Sequence, residues 1–141
     1  MVRLVRSSDL ASLAKEAMKN SYSPYSHLRV GAAILMDDGK VYSGCNVENA
    51  AFASTICAER TAMVKAVSGG SRSVKKVVIA SDADAPLLPC GDCLLTIAEF
   101  AKDGKVQIVS IGKSGEKSVH RLGRLFPSGL RVHNTIRTVT G

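Results

Sequence analysis

Two short segments hold the residues most able to do chemistry: Cys57-Ala58-Glu59-Arg60 and Pro89-Cys90-Gly91-Asp92-Cys93. Each places cysteine at the expected start of a helix, where unpaired N–H groups and the positive end of the dipole favour thiolate over thiol. Cys90 and Cys93 are spaced to grip one ion together, and Cys57 can supply a third sulfur. Zinc suits thiolate ligands at about 2.3 Å, and three protein ligands leave the fourth tetrahedral position open to water, as in catalytic sites. One zinc per chain is expected, on Cys57, Cys90 and Cys93. Glu59 lies two residues beyond Cys57, too short a reach to share the metal comfortably but near enough to touch that water. A carboxyl so placed can take up a proton and deliver it to a reacting group. Three thiolates on Zn²⁺ leave a net charge of −1, and the permanent cation of Arg60 can offset part of it by bonding a cysteine sulfur.

The other residues that could bind metal constrain this reading. With Cys45 the chain has four cysteines, enough for two disulfides in a secreted protein or for a closed structural zinc site. In a reducing cytosol, with two of the four in a Cys-x-x-Cys, metal binding is the better reading. Cys45 follows an expected strand and is expected to pack as a small apolar residue. His27, His120 and His133 lie outside both segments and are expected at the surface.

The elements that must position these groups are legible from periodicity. Leu10, Leu13, Ala14, Ala17 and Met18 recur at helical spacing over residues 8–20, behind a Ser8-Asp9 start. Val30 to Met36, the turn Asp37-Asp38-Gly39 and Val41 to Cys45 read as a hairpin. A second helix is expected from about Thr55 to Ser68, ending at Gly69-Gly70. Val74 to Ala80 reads as a buried strand, Cys90 to Ala101 as a third helix, Val106 to Ile111 as a strand, and Lys117 to His120 as a weaker one. The tail from Leu130 fits no single element. This order predicts an α/β fold: a three-layer α/β/α sandwich around a mixed sheet of about five strands, forming one domain over residues 1–141. Sites in such sheets form where helix N-termini meet strand ends.

Composition narrows the function further. With 45% hydrophobic and 22% charged residues the chain has the balance of a soluble globular domain. No apolar stretch approaches the ~18 residues of a membrane span, and the first residues lack a signal-peptide core, so a cytoplasmic protein is expected with no membrane partner. The net charge of +7 could attract nucleic acid. The basic residues are spread from Arg3 to Arg137, however, and the densest cluster is only Arg72, Lys75 and Lys76. With three Phe, three Tyr and no Trp there is little to stack on bases. A nucleic-acid partner, and editing of cytosine within RNA or DNA, are therefore not expected.

The pattern H-x-E…P-C-x-x-C, in a form with three cysteines, is the signature of zinc-dependent deaminases, in which the Glu is an acid/base and not a ligand. The chain matches that form in Cys57-Ala58-Glu59 and Pro89-Cys90-Gly91-Asp92-Cys93. Tyr22-Ser23-Pro24-Tyr25-Ser26, Val30-Gly31-Ala32-Ala33, Gly44-Cys45-Asn46-Val47-Glu48-Asn49-Ala50 and Cys57-Ala58-Glu59-Arg60-Thr61-Ala62 accompany it. From about Tyr22 to Pro127 the chain resembles the small, homotetrameric cytidine deaminases. The resemblance implies zinc-dependent hydrolytic deamination of a free pyrimidine nucleoside, cytidine or deoxycytidine, in pyrimidine salvage. It also implies self-association, and an arginine at the place of Arg60. Asn46 and Glu48 stand two apart in extended chain and so face one side. An amide and a carboxylate together suit a hydroxyl that both donates and accepts. In similar enzymes these positions hold the ribose 3′-hydroxyl, and Leu28 and Ala58 fall where the family contacts substrate.

The chain departs from the family at three places. Leu28 stands where a Phe usually stacks on the base, Leu130 where a C-terminal Phe crosses a subunit interface, and Leu94-Leu95 where Arg-Gln is common. An aliphatic pocket could suit another aminopyrimidine nucleoside such as blasticidin S, although that branch usually lacks the Asn46-x-Glu48-Asn49 run. A non-enzymatic zinc module binding nucleic acid is the reading from a different class. It would have no use for Glu59 beside an open ligand position.

Overall fold

The structure, a computed structural model, describes residues 5–129. Its elements run α1 (Ser7–Met18), β1 (Val30–Met36), β2 (Val41–Cys45), a 3₁₀ turn (Phe52–Ser54), α2 (Ala58–Ser68), β3 (Val74–Ser81), α3 (Gly91–Glu99), β4 (Gln107–Ile111), β5 (Lys117–Arg121) and α4 (Leu122–Leu125). The sheet order is β2-β1-β3-β4-β5. β3 and β4 run parallel and the other neighbours antiparallel, so the sheet is mixed, as expected.

From Val77 to Ala80 β3 reads as an unbroken apolar run because it is covered on both faces. Val77 and Ile79 belong to the core shared with Ala62, Met63 and Ala66 of α2 and Ile97 and Ala98 of α3. Val78 and Ala80 point the other way, into the core shared with Leu10 and Ala14 of α1. The three layers are thus α1, the sheet, and the α2–α3 pair. Each aliphatic side chain fully buried in these cores contributes roughly 1.5–3 kcal/mol.

Two glycines set how closely the helices approach the β1–β2 hairpin. A Cβ on Gly31 would lie 2.0 Å from the Ala14 carbonyl oxygen and 2.6 Å from the Met18 nitrogen of α1. A Cβ on Gly44 would lie 2.7 Å from the Ala62 nitrogen of α2. Neither space admits a side chain. The hairpin turn uses a third glycine, Gly39, at φ +85°.

Boundaries differ from expectation where tertiary contacts intervene. α1 begins one residue early: Arg6 is the N-cap residue, and the Asp9 carboxylate accepts the Arg6 backbone N–H at 3.0 Å. The expected start of the second helix at Thr55 is corrected to Ala58. Val47 and Ile56 pair as an antiparallel bridge, with N–H···O bonds of 2.9 Å in both directions, which keeps the chain extended up to Cys57. α3 ends at Glu99 rather than Ala101, since the Phe100 carbonyl accepts the Val74 N–H at the start of β3. The short α4 was not expected. The expectation for the tail, including Leu130, lies outside the described residues.

Candidate functional site

Cys57 and Cys90 occupy the N-cap positions of α2 and α3, both with extended backbone and neither thiol spent on capping. Their carbonyls accept the N–H of Thr61 (3.0 Å) and Leu94 (2.9 Å), which starts each helix and leaves the side chains free. Cys93 lies in the first turn of α3. The Cys57–Cys90 and Cys90–Cys93 sulfurs are 3.9 and 3.4 Å apart, and all three lie within 4.8 Å of one another. Tetrahedral zinc with 2.3 Å bonds needs sulfurs about 3.8 Å apart, so the thiols fit that ion with little adjustment. Cys45 is half-buried and outside the cluster. His27 is exposed and His120 half-buried, both away from the thiols, and His133 lies outside the described residues.

The electrostatics of the thiols separate. Hydrogen bonding from Cys93 holds the Cys57 thiol down at about 7, and the nearby Arg60 guanidinium adds to the effect. Cys93 moves the opposite way, because it donates its proton to Cys57 and is buried. The Cys57 and Cys93 thiols therefore move in opposite directions, through their hydrogen bond to each other and through burial.

Glu59, in the first turn of α2, is 6% exposed. Burial pushes its carboxyl above the usual range, against a hydrogen bond with Cys93 that pulls down. A buried carboxyl beside a thiol cluster, its affinity for a proton raised, is suited to take up a proton and release it to a partner.

These groups open on a cavity of about 340 Å³. Cys57, Ala58, Glu59 and Cys90 form one end, and Asn46, Glu48 and Leu28 line it further out. All the site residues expected from the sequence thus reach one cavity except Arg60, which sits half-buried behind Cys57, and Cys93, which is buried beneath it. Asn46 is largely engaged. Its Oδ1 accepts from the Ser21 hydroxyl and from the Val30 N–H (3.0 Å), and its Nδ2 donates to the Leu28 carbonyl (2.8 Å). One Nδ2 hydrogen remains for a ligand. Glu48 accepts the N–H groups of Tyr25 (2.9 Å) and Ser26 (3.1 Å) on Oε1, and it lines the cavity. The Ser26 side chain and these two N–H groups hold its carboxyl below the usual range. The exposed Val47 between them points away, as the alternation of extended chain requires.

Leu87, Leu88 and Phe52 also line the cavity and went unrecognised in the sequence. The two leucines could have been found from their place just before Pro89-Cys90. Phe52, on the 3₁₀ turn and 91% exposed, carried no periodic signal. Leu94 packs against the core while Leu95 is exposed, so the pair that replaces Arg-Gln puts a hydrophobe on the surface near the site.

Comparison with known proteins agrees with this geometry. Residues 5–110 match the family model described as the cytidine and deoxycytidylate deaminase zinc-binding region. A cytidine deaminase of Sporosarcina psychrophila is 42% identical over 118 residues, covering 84% of this chain and 86% of that protein. A probable cytidine deaminase of Dictyostelium discoideum is 46% identical over 111 residues, covering 77% and 75%. Among solved structures, the cytidine deaminase of Burkholderia pseudomallei superposes with a TM-score of 0.83 at 36% identity, covering 88% of this chain and 98% of that one.

Proposed function

Because the chain belongs to the cytidine and deoxycytidylate deaminase family, we propose that it releases ammonia from free cytidine or deoxycytidine, with water supplying the oxygen of uridine or deoxyuridine. The observation that carries this is the meeting of three thiols, a buried carboxyl and the Asn46–Glu48 pair on one cavity of about 340 Å³, a size that suits a small molecule.

Cys57, Cys90 and Cys93 would hold the zinc, which when bound supplies the Lewis acidity that makes water nucleophilic at neutral pH. Glu59 would carry one proton of the attacking water to the pyrimidine ring nitrogen and the other, from the hydroxyl formed at the ring carbon, to the departing amine, which leaves as ammonia. Arg60 keeps the thiolate cluster from becoming too anionic. Ala58, buried with no side-chain bulk beyond Cβ, lets the base lie close to α2. The Glu48 carboxylate accepts a hydrogen bond from the ribose 3′-hydroxyl, and the spare Nδ2 hydrogen of Asn46 donates to it. The three thiols must stay reduced to serve, which fits the cytoplasm. Among the described residues no helix is long and apolar enough to cross a membrane. The chain would act as a homotetramer in pyrimidine salvage. The exposed Phe52 and Leu88, which line the cavity, support self-association there.

The test is ammonia release from purified protein offered cytidine, deoxycytidine and blasticidin S. Release from either of the first two is expected, and release from neither overturns the reading. The comparisons do not favour the blasticidin alternative.

Two expectations concern recognition. Glu48→Gln should raise KM for cytidine on the order of tenfold or more, with a smaller effect on kcat, since a bond to a charged acceptor is exchanged for a neutral one. The depressed Glu48 carboxyl keeps its charge to lower pH than an ordinary carboxylate, so the rise in wild-type KM that its protonation causes should begin at a lower pH than an unperturbed carboxylate would give. A KM unaltered by the substitution would remove Glu48 from the sugar site. Leu28 lines the cavity, and a ring there would cover the whole face of a pyrimidine where leucine covers part. At roughly 0.5–1.5 kcal/mol, Leu28→Phe should improve kcat/KM for cytidine by about 2- to 12-fold. A loss on another nucleoside would show that leucine makes room for a different base. No change on any nucleoside would place Leu28 outside the pocket wall.

A further inference from the structure

Two recesses of the described chain lie at opposite ends of the sheet and carry opposite charge. The catalytic cavity opens near the end where Val30 pairs with Ser81, and its lining holds Glu48 and Glu59 but, among the described residues, no lysine or arginine. The second, of about 380 Å³, lies near the other end, where Met36 meets Val74, and is bordered by Lys75, Lys76, Lys102 and Lys105. The topology gathers these four. Lys75 and Lys76 open β3, Lys102 and Lys105 sit in the loop that leads into β4, and β3 and β4 are parallel neighbours with Lys76 opposite Gln107.

The local carboxylates do not neutralise this cluster. Asp37 is held by Lys102 at 2.6 Å, and Asp103 Oδ1 turns onto the Lys105 backbone N–H at 2.7 Å. Lys75, Lys76 and Lys105 have no ion pair among the described residues. Among the described residues the Lys76 ammonium is hydrogen-bonded only to the Ser7 hydroxyl. Burial and the charge of Lys117 push Lys76 below its ordinary value, a strain that an anion would relieve. Leu35, Val74 and Val106 give the recess an apolar part of its lining, and Gln107, also in the lining, carries a carboxamide that can both donate and accept.

Lysine ammoniums bind phosphate as point charges. A partly apolar lining with one carboxamide suits a flat heterocycle, and the volume is that of a small-molecule site. A nucleic-acid strand would need a basic stripe that tracks its backbone rather than a single recess. We propose that this recess is a second ligand site, separate from the catalytic cavity, that takes a phosphorylated nucleoside. The two ends of the sheet would then sort one family of compounds by charge. Neutral nucleosides enter the carboxylate-lined cavity, and their phosphates bind among the lysines.

The test is equilibrium dialysis of the full zinc-loaded chain with uridine diphosphate, and separately with pyrophosphate, at about 0.1 M salt and with excess uridine present to occupy the catalytic cavity. One saturable site per chain is expected for uridine diphosphate, with weaker binding of pyrophosphate. The double variant Lys75→Gln/Lys105→Gln should weaken uridine diphosphate by roughly tenfold or more, while its circular dichroism and its ammonia release from cytidine stay unchanged. Lys15→Gln/Lys65→Gln, which removes two exposed lysines from α1 and α2, should leave binding intact. Absence of saturable binding, or equal weakening in both double variants, would overturn the site. Equal affinity for pyrophosphate would overturn its assignment to a nucleoside phosphate.

Discussion

Glu59→Gln is expected to keep the zinc and the fold while lowering kcat by about 10⁴-fold. General acid–base catalysis by a positioned side chain typically contributes 10²–10⁴-fold. Glu59 is asked to move protons at two points of one turnover, so the loss belongs at or above the top of that range. The amide fills the same space and can still hydrogen-bond. It replaces an acid that is 6% exposed and whose charged form is disfavoured by burial, so no stabilising charge is lost from the folded state. Metal content by atomic absorption and the thermal midpoint should match those of the wild type. A variant that retained more than about a tenth of the wild-type rate would show that the proton transfers do not run through this carboxyl.

Removing a thiol should have a larger effect on the metal than on the chain. Cys93→Ala takes one of three sulfurs from a site whose spacings already suit zinc. Loss of a mere outer-shell partner commonly costs 10–100-fold in metal affinity, so loss of a ligand should exceed that range. The purified variant is expected to carry far less than the one zinc per chain of the wild type and to show no measurable ammonia release. Cys45→Ser is the matched control. Cys45 lies outside the cluster, and that variant should keep both zinc and activity. Zinc lost from Cys45→Ser would revive a closed four-thiol site.

The layers and the cluster were legible because each rests on a local signal. β3 announces its burial by β-branched residues, the hairpin by Asp37-Asp38-Gly39, and the thiol cluster by spacing relative to helix starts. What was not legible depends on contacts between distant segments. The true start of α2 is set by the Val47–Ile56 bridge, across nine residues, and no propensity at Thr55 reports it. The heavy use of Asn46 within the fold was equally hidden, since Leu28 and Val30 reach it from another part of the chain. Lys75 and Lys76 were read as the densest part of a dispersed basic surface. Only the parallel pairing of β3 with β4 brings Lys102 and Lys105 beside them.

The two glycines of the β1–β2 hairpin have unequal weight for how this chain can drift over generations. A methyl group at Gly31 would press on the backbone of α1, whose described residues contribute nothing to the catalytic cavity, so its cost would fall on the survival of the folded molecule. The same methyl group at Gly44 would meet the backbone of α2 one turn beyond Glu59 and shift the ends of the two helices relative to each other. A displacement of that kind separates Cys57 from Cys90, and no stabilising change elsewhere restores the distance. Gly31 is therefore held to glycine by the docking of α1, and Gly44 both by the docking of α2 and by the convergence of the thiols.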